Sequence, residues 1–285
     1  IKVAAAGINR PDILQRQGNY PPPKGASEIL GLEVSGTIVE IGKSIDPSFK
    51  DKEVCALVTG GGYAEYVKTT LATVLFIPKE ISVIEAAAIP ETFFTVWTNL
   101  FDSGLLKKNE TLLIHGGASG IGITAALIAQ AMGIKYLTTV GSRKKKDFMD
   151  NLGSFKTINY QDEDFEEVIK KEINGVDVIL DIVGGEYFQK NINILNKFGR
   201  LINIAYLQGP VVKANLLPIM LKRLIVTGST LRMRSDDEKK KIRDSLQTHI
   251  WPLFETKSIK MVIDKEFGFN DVKKAHEYME NNENI

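Results

Sequence analysis

The sequence predicts an α/β protein in which a smaller, largely β domain precedes a doubly wound parallel sheet. Three patterns carry that expectation. Thr111 to Gly133 reads as a short buried strand, a glycine-rich turn and a helix that is apolar almost all round. Beyond it, strand and helix patterns alternate as far as Thr227, which gives a parallel sheet of about six strands. Ahead of it, residues 1 to 90 are short strands broken by glycine and proline turns, the pattern of a compact β domain or partial barrel. With 285 residues, 44% hydrophobic and 25% charged, the chain is long enough for two cores.

Taken in order, Ile1 to Ala6 is a strand, and Arg10 to Arg16 a short helix entered through Pro11, a residue suited to a first turn. Pro21 to Pro23 impose extended geometry on the loop from Gly18 to Gly25. Val34 to Ile41, Glu53 to Val58 and the period-two stretch Tyr63 to Val67 are strands. Helices follow at Val83 to Ile89 and Thr92 to Phe101. After strand Thr111 to Ile114 and helix Ile121 to Met132, strands at Tyr136–Val140, Lys156–Ile158, Val176–Ile182, Arg200–Ile204 and Leu224–Thr227 alternate with helices. Those helices are Lys144–Leu152, Asp164–Lys171, Glu186–Leu195 and Leu216–Arg223. A charged helix (Asp236 to Thr256), a strand (Met261 to Ile263) and a last amphipathic helix (Asn270 to Glu280) break the alternation. The tail is expected to pack back on the first domain, giving domains 1–92 with 233–285 and 93–232. The chain opens in mid-strand and stops just after a helical pattern, so both ends read as cut.

Composition removes several classes of function. A net charge of +1 gives no whole-molecule attraction to nucleic acid or anionic lipid. The single cysteine, Cys55, excludes an intrachain disulfide and a multi-cysteine zinc site, and fits a cytoplasmic location. No run of about 20 apolar residues predicts a membrane span. His115, His249 and His276 have no ligand spacing, so no metal site is expected.

The glycine turn is where chemistry is expected. Gly116, Gly117, Gly120 and Gly122 lie between a strand and a helix, where close backbone approach and a helix N-terminus together receive a pyrophosphate. Gly117, Ala118, Ser119, Gly120 and Ile121 are therefore cofactor candidates, Ser119 also as helix cap. In sites for NAD, a carboxylate about 20 residues after the glycines binds the ribose 2′-hydroxyl. Here that place reads Gly141-Ser142-Arg143-Lys144-Lys145-Lys146, whose cations and hydroxyl suit a 2′-phosphate, so NADPH is expected over NADH. The bland reading is a solvated basic helix turn, yet cations at a helix start oppose its dipole unless an anion compensates. Ligands of such sheets sit at the carboxyl ends of the strands, which adds Tyr160, Val183, Gly184, Ala205, Tyr206, Ser229, Thr230 and Leu231. Each of these is equally well a turn residue chosen for backbone geometry.

Asn9-Arg-Pro-Asp12, Arg16-Gln-Gly-Asn-Tyr20, Gly31-Leu-Glu33 with Gly36, Ala86-Ala-Ala-Ile-Pro90, the helix carrying Thr95, His115 to Gly122, Gly141 to Lys145, Asn159-Tyr160, Leu180-Asp181, Gly199-Arg200 and Ala275 to Glu280 appear in this order over essentially the whole chain. In them the chain resembles the zinc-free, zeta-crystallin-like quinone oxidoreductases of the medium-chain dehydrogenase/reductase superfamily, in detail the stress-inducible subgroup. The resemblance implies a GroES-like partial β-barrel domain, a Rossmann domain and NADPH in the cleft. It sets Leu32 where the superfamily's zinc enzymes carry a histidine, and their cysteine's place falls near Asn9. An alkyl group and an amide do not hold zinc. Ser119, Gly116 and Gly117 depart from its usual turn residues by small substitutions. It makes Tyr20, Asn9 and Thr95 the candidate catalytic residues: Tyr20 as a phenol stabilising charge on a quinone oxygen, Asn9 and Thr95 holding the nicotinamide carboxamide. Tyr20 reads equally as a packing residue beside Pro21 to Pro23, and Asp12 with Arg16 as a structural ion pair. The expected function is metal-free, NADPH-dependent quinone reduction. The alternatives are an enone or alkenal double-bond reductase, or an NADPH-binding protein with a mainly non-catalytic role. The apolar edge Leu224 to Thr227, and the habit of such relatives, imply a homodimer or homotetramer.

Overall fold

The computed structural model describes residues 1–285. They form two compact units, residues 1–94 with 231–285 and residues 95–230. The first unit contains β1 (Lys2–Ala6), α1 (Arg10–Arg16), β2 (Glu33–Thr37), β3 (Glu53–Leu57), β4 (Val74–Phe76) and α2 (Val83–Ala86). Its four strands make an antiparallel sheet in the order β1-β2-β3-β4. Val34, Val54, Ala56 and Val74 fill one core with Ile38, Val58 and Val67. β2 is buried along nearly its whole length, and Ser35 Oγ on it donates to Val83 O of α2 at 2.5 Å. α2 starts with a reciprocal cap: Ser82 Oγ accepts from Glu85 N at 3.2 Å and Glu85 Oε2 accepts from Ser82 N at 2.9 Å.

The chain passes into the second unit within α3 (Pro90–Trp97), which runs on into a π-helical turn, Thr98–Ser103. There follow β5 (Thr111–His115), α4 (Gly120–Ala131), β6 (Lys135–Val140), α5 (Arg143–Asn151), β7 (Lys156–Asn159), α6 (Phe165–Glu172), β8 (Val176–Asp181), α7 (Tyr187–Ile194), β9 (Leu195–Asn203), α8 (Leu217–Lys222) and β10 (Ile225–Gly228). All six strands are parallel, in the order β10-β9-β8-β5-β6-β7. Leu112 to Ile114 and Val178 to Leu180 are fully buried, as β-rich runs covered on both faces must be. Arg200 ties the loop before β5 to β9: it forks onto Glu110 at 2.9 and 2.6 Å and its Nε donates to Gly104 O at 2.7 Å. Lys222 Nζ donates to Asn193 O at 2.7 Å and Leu195 O at 2.9 Å, placing a cation on the orphan carbonyls where α7 ends.

The tail, in the first unit, holds α9 (Asp236–His249), α10 (Trp251–Glu255) and α11 (Val272–Glu280). Four local expectations fail. Tyr63 to Val67 alternates but forms only one isolated bridge, Tyr66 to Lys2, while the unforeseen β4 takes the sheet edge. The expected strand to Ile41 ends at Thr37. The long tail helix breaks at Ile250, because Pro252 lacks the N–H that a continuous helix needs. Met261 to Ile263 belongs to neither sheet. No helix is long and apolar enough to cross a membrane.

Candidate functional site

In the second unit the carboxyl ends of the strands bring most of the expected cofactor residues to one sheet edge. β5 ends in the turn Gly116 to Ser119, and Ser119 Oγ caps α4 by accepting from Gly122 N at 3.0 Å. A Cβ on Gly122 would overlap the carbonyl oxygens of Gly116 and Gly117, so only glycine lets the turn fold this tightly onto the helix. After β6, Ser142 Oγ caps α5 by accepting from Lys145 N at 3.3 Å. Tyr160, half exposed after β7, lays its hydroxyl over Gly141, where a Cβ would overlap it. Arg143 pairs with Asp147 at 2.9 Å on the exposed side, and Lys146 Nζ donates to Thr157 O. Ser142, Lys144 and Lys145 stand beside Gly141, with no carboxylate among them. Glycine, a hydroxyl and two ammonium groups are the chemistry a 2′-phosphate requires, so these residues fit NADPH.

Val183, Gly184, Ala205 and Tyr206 come together after β8 and β9, where Leu207 N donates to Ile182 O at 3.2 Å and Gln208 N to Val183 O at 2.8 Å. Thr95 and Ser229 are joined through a residue not foreseen, Asn99. Its Nδ2 donates to Thr95 O at 2.8 Å and its Oδ1 accepts from Ser229 Oγ at 2.9 Å. Thr230 ends this unit, and Leu231, with its side chain buried, lies in the first.

Beneath the turns runs a buried polar chain. Asp181 accepts from Val183 N at 2.7 Å, Gly184 N at 3.2 Å and Asn191 Nδ2 at 3.1 Å. With its amide nitrogen on Asp181, Asn191 turns its oxygen to His115 Nε2 at 2.7 Å, so Nε2 carries the proton and Nδ1 accepts from Thr139 Oγ at 3.0 Å. Burial, with Phe165 and Tyr187 edge-on at 4.8 Å, pushes the His115 pKa below its ordinary value and keeps the ring neutral. His115 therefore braces the glycine turn and is not a ligand to it.

The first unit holds Asn9, Tyr20 and a set of interior charges that sequence reasoning did not foresee. Asn9 opens α1, its amide meeting the buried Glu33 carboxyl at 2.7 Å, and Glu33 also accepts from Glu91 N at 2.8 Å. Burial pushes Glu33 up to about 8. Half-buried Glu91 is pushed up to about 7 by burial and Asp12, against the pull of Arg232 and Lys239. The expected Asp12–Arg16 pair does not form. Asp12 is buried and accepts from Asn9 N at 2.8 Å, Gly31 N at 2.9 Å and Tyr63 Oη at 3.2 Å. Arg16 instead reaches Glu280 at 2.6 Å and His276 Nδ1 at 3.3 Å on α11. Tyr20 is half-buried with the Arg232 guanidinium 5.3 Å from its ring centroid. Leu32 is packed inside at 2% exposure and offers a metal no donor atom.

Glu33 yields a pH prediction. Its pKa is raised from 4.5 to about 8 on folding, so between those values the folded protein holds a proton that the unfolded chain has released. This contribution is complete below 4.5 and is lost as pH rises to about 8. Glu33→Gln, neutral at every pH, should flatten the fall in melting temperature from mildly acid to mildly alkaline buffer. Parallel curves for the two proteins would show that Glu33 is ionised throughout.

Two family models match the chain. Residues 1–79 match the alcohol dehydrogenase GroES-like domain and residues 120–247 the zinc-binding dehydrogenase domain. The quinone oxidoreductase of Lama guanicoe is 30% identical over 280 residues, covering 97% of this chain and 83% of its own length. Among solved structures, the Escherichia coli quinone oxidoreductase complexed with NADPH superposes with a TM-score of 0.84 at 27% identity, covering 98% of this chain and 87% of that one. The CurK enoyl reductase gives 0.85 at 26% identity, covering 99% and 86%. The chain belongs to the quinone oxidoreductases, the zinc-free branch of the medium-chain dehydrogenase/reductase superfamily, and is an NADP-dependent oxidoreductase of that α/β fold.

Proposed function

We propose that this chain reduces quinones with NADPH. The observation that carries the cofactor choice is the end of β6, where Ser142, Lys144 and Lys145 replace the carboxylate of an NAD site. The quinone is supported by the 30% identical quinone oxidoreductase, similar along 97% of the chain. NADPH, when bound, supplies the hydride that, with one proton, converts a quinone to its hydroquinone and leaves NADP+.

The residues divide the remaining work. Gly117 to Ile121 meet the pyrophosphate with the start of α4 and with the main-chain N–H groups that the turn leaves over, since Gly117 N donates to Thr139 O and Ser119 N to Gly116 O. Ser142 and Lys145 hold the 2′-phosphate, and Tyr160 covers the adenosine end. Val183, Gly184, Ala205, Tyr206, Ser229, Thr230 and Leu231 line the remainder, largely through main chain. Thr95 and Asn9 hold the carboxamide; Asn9 is oriented by its amide nitrogen donating to Glu33. The Tyr20 phenol donates a hydrogen bond to the acceptor oxygen as negative charge gathers there.

An enone or alkenal double-bond reductase is the second reading, supported by the likeness to CurK enoyl reductase. A steady-state screen of ortho-quinones, para-quinones and 2-alkenals with NADPH decides between them. Quinones are expected to give the highest kcat/KM, and alkenal turnover well above quinone turnover would sink the first reading. Lys145→Glu should raise the KM for NADPH by about tenfold or more while leaving that for NADH little changed, as loss of one charge-assisted phosphate contact requires. Equal effects on both would reject the 2′-phosphate assignment.

A second copy of this chain is proposed as partner. β10 is an unpaired sheet edge with Ile225 51% exposed, and α8 beside it leaves Met220 68% and Leu221 64% exposed. Leu221→Glu with Ile225→Lys should convert a dimer or larger assembly to monomer in sedimentation. An unchanged sedimentation coefficient would place the contact elsewhere.

A further inference from the structure

Arg232 has no part in the cofactor reading, yet the first unit holds it firmly beside the acceptor candidate. It is 7% exposed. Nε and Nη2 both donate to Thr59 O, at 3.0 and 2.7 Å, and Nη2 also donates to Gln15 Oε1 at 2.8 Å. Gln15 is fixed in turn by donating to Glu28 O at 3.0 Å. On its main chain, Arg232 O accepts from the buried Lys239 Nζ at 3.1 Å. The fork is thus set in one plane, and Cζ lies 5.3 Å from the Tyr20 ring centroid, within cation–π range.

Two facts separate this arginine from a mere tie between Thr59 and Gln15. Nη1 is buried and has no acceptor, a costly state for a charged donor. A tie to two neutral oxygens also does not require a full charge beside the face of an aromatic ring. The charge does matter to that ring: burial and the Glu91 carboxylate push the Tyr20 phenol above its ordinary pKa, and Arg232 pulls it back. The charged groups around the pair are Glu91 on α3, Asp12 on α1 and Lys239 on α9.

We propose that Arg232 is a positioning residue for Tyr20: it holds the ring by its face and strengthens the phenol as a hydrogen-bond donor, favouring acceptors that gather negative charge on oxygen. The proposal rests on the reading of Tyr20 as that donor. A cation beside the ring draws electron density from the phenol oxygen, so its O–H binds a developing oxyanion more strongly than a neutral carbonyl. Quinones, which gain charge on an oxygen conjugated through the whole ring, are the acceptor class such a site rewards.

A double-mutant cycle tests it, with 9,10-phenanthrenequinone and 1,4-benzoquinone as probes and NADPH as donor. Tyr20→Phe should lower kcat about 100-fold, as removal of an oxyanion donor does, and Arg232→Met about tenfold. The NADPH KM should not change in either. In the double variant the loss should equal that of Tyr20→Phe alone, because Arg232 has nothing left to act through. Arg232→Lys, which keeps the charge without the fork, should restore part of kcat and keep the alkaline limb of the pH profile near its wild-type position. If Arg232→Met does not fold, the same cycle with Arg232→Lys gives the answer. Losses that multiply in the double variant would overturn the role of Arg232 while leaving Tyr20 in place. Wild-type turnover in Tyr20→Phe would remove the reading of Tyr20, and this proposal with it.

Discussion

The buried carboxylate of Asp181 is the constraint on which the second unit depends. It has no access to water, and three donors from Val183, Gly184 and Asn191 replace its hydration. Meeting that need fixes the turn after β8. It also fixes the Asn191 amide, which sets the His115 tautomer, which in turn fixes Thr139 and the start of the glycine turn. Gly116 N reaches Thr139 Oγ at 3.4 Å, the far end of the same chain. Two main-chain turns on different strands therefore take their geometry from one charge. The edge proposed to receive the cofactor's phosphates through N–H groups depends on this, because a turn that drifts cannot keep its donors aimed.

How much of this was legible in the sequence follows from how local each feature is. The glycine turn, the Ser119 cap and the alternation of strand and helix depend on neighbours a few residues apart, and their spacing shows in one dimension. The brace beneath is not local: His115 and Asn191 are 76 residues apart, and nothing near either marks the other. Asp12 and Arg16 show local spacing misleading. They stand four apart on α1, yet the interior claims Asp12 for main-chain donors and α11 claims Arg16. Period-two alternation misleads in the same way at Tyr63 to Val67, since alternation shows that a strand would have two faces but not that a partner strand is there.

The first unit places its chemistry differently. Its ionisable groups lie inside: Glu33 at 2%, Asp12 at 1%, Lys239 at 3% and Arg232 at 7% exposure. Such groups are held only by mutual pairing and main-chain bonds, and each raises or lowers the proton affinity of the next. Glu91 illustrates this, lifted by burial and then by Asp12 and drawn back by Arg232 and Lys239, to about 7. A carboxyl with that value exchanges protons near neutrality.

This division explains why fold likeness does not choose the acceptor. The CurK enoyl reductase and the Escherichia coli quinone oxidoreductase match this chain with TM-scores of 0.85 and 0.84, a difference without chemical meaning. An edge built of main-chain turns changes little with side-chain identity, so likeness of fold carries no information on the acceptor. On the proposed reading the acceptor is met by side chains of the first unit whose strength depends on interior charge, and one substitution among them would alter it while every strand stays in place. Specificity in this chain is therefore sought in the guanidinium, the two carboxyls and the phenol of the first unit. The glycines, which mark the family, are silent on it.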